Sequence, residues 1–167
     1  VDNKPCQLSL KETLQEFLNF REETLTRHYT NDLEVSRQRI HLVQGLLIAL
    51  NHLDTVIDIL RHAADGSTAK VQLMEQLEIT NAQADSILAM PLRRLTGLEK
   101  QKLEEEFNEL QQKIQQLETL LNDRHELMKS LKKELRSLKR KYGDERRTRI
   151  LTPKPDKAES KNLGQDF

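Results

Sequence analysis

The sequence predicts an all-α fold: a long antiparallel coiled-coil stalk capped by a small helical globular dimerisation knob. Three observations predict it. Of the 167 residues, 81 are Ala, Glu, Lys, Leu or Arg, close to the half share that marks long helices and coiled coils. Residues 98–142 contain neither Gly nor Pro, so nothing in that stretch stops a helix. Within it Leu103, Phe107, Leu110, Ile114, Leu117 and Leu121 alternate at spacings of four and three, which is the seam of a coiled coil.

The elements follow in order. Residues 1–32 form an N-terminal helix whose start is signalled by Ser9 with Glu12, a capping pair that satisfies backbone N–H groups with no partner inside the helix. The same signature recurs at Thr80 with Gln83, Thr96 with Glu99, and Asp123 with Glu126. Residues 33–62 are the outgoing coiled-coil helix, about 45 Å long at ~1.5 Å per residue. Leu33, Ile40, Val43, Leu47 and Leu50 form one of its stripes; Leu46, Leu50, Leu53, Ile57 and Leu60 form a second, offset one. A helix apolar on two sides is buried on two sides, so this end enters the knob.

The knob is predicted over 63–97, with a turn at Asp65, Gly66 and Ser67, a short helix from Thr68 to Leu77 and a second from Thr80 to Met90, ended by Pro91. Residues 98–151 return as the second coiled-coil helix. Arg124 interrupts its seam between Asn122–Asp123 and the resumption at Met128, Leu131, Leu135, Leu138 and Tyr142, which predicts a break near 122–125. Residues 152–167 contain Pro153, Pro155 and little that is apolar, and read as a disordered linker. A knob of about 35 residues is too small to bury such apolar segments alone, and a second copy is the natural cover.

Catalytic chemistry finds little support. There is no G-x-x-x-x-G-K-[ST] or G-x-G-x-x-G loop. Cys6 and the five histidines make no i, i+3 or i, i+4 ligand pair, and the start of an H-E-x-x-H motif at His125 fails at Lys129. Cys6 reads as inert, Tyr29 as part of the first helix and Tyr142 as seam packing. No apolar run is long enough for a transmembrane helix and no signal peptide is evident, so no membrane partner is expected.

Charge is more informative. Lys and Arg number 27 and Asp and Glu 27, a zero that, taken over the whole chain, opposes nucleic-acid binding. Yet residues 99–128 carry 4 basic against 8 acidic side chains, and residues 129–149 carry 10 against 3. One reading is a solvated face opposed by the acidic first part of the same return helix. The other is a contact near a phosphate backbone, centred on Lys139, Arg140, Lys141, Arg146 and Arg147.

Four strings occur in one order: Gly45-Leu46-Leu47-Ile48-Ala49-Leu50, Gln83-Ala84-Asp85-Ser86-Ile87-Leu88-Ala89-Met90, Leu95-Thr96-Gly97-Leu98-Glu99 and Tyr142-Gly143-Asp144-Glu145-Arg146-Arg147-Thr148. Together they closely resemble the coiled-coil region of the A-subunit family of bacterial DNA gyrase and topoisomerase IV, over about residues 8–151. The resemblance implies an exit gate of an ATP-driven type II topoisomerase, with 1–32 leading out of the DNA-cleaving body. It also implies a homodimer contact through Ile87, Leu88, Met90, Leu92, Leu95 and Leu98. The catalytic tyrosine lies outside the matching segment, so no catalytic, cofactor or metal residue is expected here. ATP and magnesium would enter through the B subunit of an A2B2 complex, in the bacterial cytoplasm at the nucleoid, where DNA is the substrate. Residues 95–99 look more like the gyrase branch. The resemblance departs at Pro91, where many members carry Arg, and this is expected to shorten the gate helix.

Overall fold

The computed structural model describes residues 5–91 and 97–149. Among the described residues there are six helices: α1 (Leu10–Asn51), α2 (Leu53–His62), α3 (Gly66–Leu77), α4 (Asn81–Leu88), α5 (Gly97–Asn122) and α6 (Arg124–Tyr142). The fold is all-α. Residues 92–96, which include Thr96, and residues 152–167, expected to be a linker, lie outside the described set.

Ser9 opens α1 with a reciprocal capping box: its Oγ accepts from the Glu12 N–H, and its own N–H donates to the Glu12 carboxylate at 2.7 Å. No residue in the next 42 stops the helix, so there is no boundary at residue 32. The outgoing helix does not, however, run unbroken to residue 62. It ends at Asn51; His52 takes φ −118° and ψ 41°, and α2 departs at 87°. The face that α2 buries is not the predicted second stripe: the bend buries Val56 and Ile59, while Leu53 and Ile57 are half-buried and Leu60 stays 45% exposed.

The core at this end is built by α1, α2, α3 and α4 with the start of α5. Val43, Leu46, Val56, Leu73, Ala84 and Leu103 are among its buried members, so it extends beyond the interval 63–97 in both directions. α3 starts on Asp65, whose side chain accepts from the Thr68 N–H at 2.7 Å. It ends on Glu78 in the left-handed region, φ 52°, which sends Ile79 into the core.

α5 runs back along α1. Arg37 pairs with Glu118 at 2.6 Å, and Arg39 grips Glu106 through two hydrogen bonds of 2.6 and 2.9 Å. Further down, Arg124 grips Glu22 in the same two-pronged way, and Arg21 bonds Glu134. Numbers rise on α1 as they fall on its partner, which makes the stalk antiparallel. The hydrogen bond from Arg124 holds the Glu22 carboxyl below its ordinary pKa and raises the guanidinium. The Arg39 guanidinium is raised by Glu106 for the same reason.

α5 and α6 are separated by one residue. Asp123 is extended (φ −119°, ψ 105°) and caps α6, but through the His125 N–H at 2.8 Å rather than through Glu126. Glu126 instead reaches Lys129 at 3.2 Å. The break lets α6 rotate, so that Leu127, outside the predicted seam, is buried beside Leu131 and Leu25. Leu138 and Tyr142 are 45% and 69% exposed, so Tyr142 does not pack in the seam. The α1 residues at this end, Leu10, Leu14 and Phe17, are exposed as well and do not cover it.

Candidate functional site

The two ends of the stalk differ in chemistry. At the knob, α4 is held against α1 through one buried side chain. Gln83 is 4% exposed; its Oε1 accepts from the Thr80 N–H at 2.9 Å, and its Nε2 donates to the His41 carbonyl at 2.7 Å. The His41 ring adds a 2.8 Å bond to the Thr80 hydroxyl. This approach requires Gly45, since a Cβ there would sit 2.6 Å from both Cβ and Cγ of Gln83. Neither residue is among the sites expected from sequence, although a glycine opening the apolar run 45–50 is the signal of a close approach.

The six residues expected at a dimer contact are distributed unevenly. Ile87 is 4% exposed in this chain's own core and offers no free surface to a second copy. Leu88 and Met90 are half-buried against that core. Leu98, in the first turn of α5, is 64% exposed. Leu92 and Leu95 lie outside the described residues. The helix stops at Leu88, two residues short of Met90, and the Met90 N–H bonds back to the Ile87 carbonyl at 3.0 Å. Pro91 disfavours helical geometry at the residue before it, which accounts for the early stop.

At the other end the expected basic residues are all exposed. Arg146 donates to Thr148, Arg147 pairs with Asp144 at 3.4 Å, and the Lys141 ammonium lies 5.0 Å from the centre of the Tyr142 ring. Lys139 and Arg140 have no ion pair among the described residues. The acidic first part of the return does not oppose the basic part, because the two follow one another along α1. Glu106 and Glu118 are taken by Arg39 and Arg37 of α1.

Among the described residues no group of three or more His, Cys, Asp or Glu could hold a metal ion, and Cys6 is exposed and not in a disulfide. No single described helix is long and apolar enough to cross a membrane. The bent pair α1 and α2 passes that test together, but its apolar residues Val43, Leu46, Ala49, Val56 and Ile59 are buried in the core. Tyr29 is half-buried, with its hydroxyl 3.0 Å from the Ser130 Oγ, and serves to tie α1 to α6.

These features define an antiparallel coiled-coil module, apolar at one end and cationic at the other. The family model for the DNA gyrase/topoisomerase IV A subunit matches residues 1–136, and the chain belongs to that family. It is 58% identical over 159 residues to the DNA topoisomerase 4 A subunit of Synechocystis, covering 95% of this chain and 17% of that protein. It is 42% identical over 150 residues to the DNA gyrase A subunit of Clostridium acetobutylicum (90% and 18%), and 41% identical over 156 residues to that of Deinococcus deserti (93% and 19%). The chain thus spans less than a fifth of these relatives. The 58% match bears the topoisomerase 4 name, so the comparison lends the gyrase branch no support over its sister.

Proposed function

We propose that this chain is the coiled-coil and exit-gate part of a type II topoisomerase A subunit, in which two copies meet at the knob and part to release a transported duplex. The observation that carries the reading is Leu98. It is a large apolar side chain 64% exposed at the tip of a stalk whose seam is buried at Leu103, Leu117 and Leu131. Half-buried Leu88 and Met90 at the same end would extend the contact, with Leu92 and Leu95. Ile87 would act from behind, by shaping the core on which α4 rests.

In the whole enzyme this module would support ATP-dependent double-strand passage and control of supercoiling, in the bacterial cytoplasm at the nucleoid. ATP and magnesium would be handled by the B subunit of an A2B2 complex, and strand cleavage by a tyrosine elsewhere in the A subunit. The fragment alone would have no activity.

A stand-alone adaptor that captures a partner helix needs an open stripe at Leu110, Leu117 and Leu131. Leu117 and Leu131 are 6% and 2% exposed and Leu110 is half-buried, which weighs against that reading. Sedimentation equilibrium decides the gate reading. The wild-type chain is expected to be dimeric and Leu98→Glu monomeric with unchanged helix content, Leu98 being too exposed to matter for folding. A wild type that stays monomeric at high concentration refutes it.

A further inference from the structure

We propose that α6 carries a linear binding strip for the phosphate backbone of duplex DNA, formed by Lys129, Lys132, Lys133, Arg136, Lys139 and Arg140. The inference rests on the family reading and goes past it, because it assigns a DNA contact to the stalk itself.

The first support is geometry. At about 100° per residue the six side chains fall within an arc of roughly 120°, on the side of α6 away from buried Leu127 and Leu131. They extend over about 16 Å of helix. Lys133, Arg136, Lys139 and Arg140 line one shallow groove of about 460 Å³. Lys141, in the same run of sequence, falls on another face beside Tyr142.

The second is the pattern of pairing. Elsewhere along the stalk most cations are paired: Arg21, Arg37, Arg39 and Arg124 each hold a glutamate on the facing helix, Arg27, Lys100 and Lys102 pair within their own helices, and Lys11 and Lys113, unpaired among the described residues, stand singly. On the strip only Lys129 has a partner, Glu126. Lys132, Lys133, Arg136, Lys139 and Arg140 have none among the described residues. Glu134, the acid within the run, points to the opposite side and is engaged by Arg21.

The third is that folding does not account for the arrangement. Like charges three and four residues apart weaken a helix, and the strip contains several such pairs. Attraction to the helix dipole favours cations only in the last turn, which covers Lys139 and Arg140 but not Lys132, Lys133 or Arg136. A ligand that supplies anions at regular intervals along a line removes the repulsion. Duplex DNA presents one negative charge per ~1.7 Å of axis, over a length that easily matches the strip.

The test measures binding of a short fluorescent DNA duplex by the full chain, across a salt series. The expected result is salt-dependent binding whose log–log slope becomes shallower by about 4.5 in the variant carrying Lys132→Gln, Lys133→Gln, Arg136→Gln, Lys139→Gln and Arg140→Gln, about 0.9 for each phosphate no longer neutralised. A control variant with Lys141→Gln, Arg146→Gln and Arg147→Gln should change the slope by less than one. Helix content should be retained in both, since every altered residue is exposed. Three results overturn the proposal: no binding by wild type at low salt, an equal slope change per charge in the control, or displacement of the duplex by polyglutamate as effectively as by unlabelled duplex. The last would assign the strip to acidic protein. Sedimentation of the strip variant keeps the two proposals apart, because it remains dimeric if the gate reading holds, whatever the DNA result.

Discussion

Replacing Gly45 with Ala is expected to loosen α4 from α1, although Gly to Ala inside a helix ordinarily stabilises by about 1 kcal/mol. The added Cβ would lie 2.6 Å from Gln83 Cβ and Cγ and 3.0 Å from its Cδ. Cβ is the root of the side chain and cannot swing aside, so the helices must shift. Overpacking of this kind costs about 1–3 kcal/mol. A shift also stretches the 2.7 Å bond from Gln83 to the His41 carbonyl, for roughly 1 kcal/mol more. After the propensity gain the net loss is about 1–3 kcal/mol, a drop in Tm of very roughly 3–10 °C for a chain of this size. Urea denaturation followed by far-ultraviolet circular dichroism measures it. The decisive step is the Gln83→Gly background, where Cβ and Cγ are gone. There the same Gly45→Ala change should become stabilising by up to about 1 kcal/mol. Stabilisation by Gly45→Ala in the wild-type background would refute the close approach, and with it the account of how α4 is held.

Other outcomes follow from the same structure. Leu131→Ala, at a side chain 2% exposed between α1 and α6, should cost about 2–5 kcal/mol; hydrogen exchange should quicken in α6 and not in α3 or α4. Glu78→Gly should stabilise by up to about 1 kcal/mol, since Glu78 holds φ 52° and glycine adopts that geometry without a Cβ clash; a thermal melt checks it. Acidification should weaken the fold through Glu12, Glu22 and Asp65, whose carboxyls are held below their ordinary values by Ser9, Arg124 and Thr68. Depressed groups of this kind contribute stability that is present above about pH 4.3 and lost as pH falls through their folded values. Glu22→Gln should flatten part of that fall in a denaturation series from roughly pH 6 to pH 2.

The sequence was most informative where local chemistry alone decides. Ser9 with Glu12 and Thr80 with Gln83 are capping boxes in the structure because each involves only side chains and backbone within four residues. Leu103 and Leu117 are buried because a helix period and one partner are enough. Three features depend on the assembled core instead. The 87° turn at His52 involves neither Gly nor Pro and follows from the need to cover Val56 and Ile59. The phase of α6 is reset by a single extended residue, so a register continued from α5 selects Met128 where the structure buries Leu127. Ile87, matched to a gate contact by its motif, is turned inward by the seating of α4 on Gly45, an approach between residues far apart in the chain. The charge pattern was visible as a count over 129–149, but its division into a strip and a separate face at Lys141 needed the helix in place.

The 42-residue span of α1 passes the joint at Asp123 without a break, and at ~1.5 Å per residue it is about 63 Å long. It therefore acts as a splint and as a lever: the returning side is jointed, while the outgoing side carries the stiffness. Rotation of α1 by one degree at its base moves its far end by about 1 Å. A small angular change where the stalk is rooted thus arrives at the knob as a displacement comparable to the reach of a side chain.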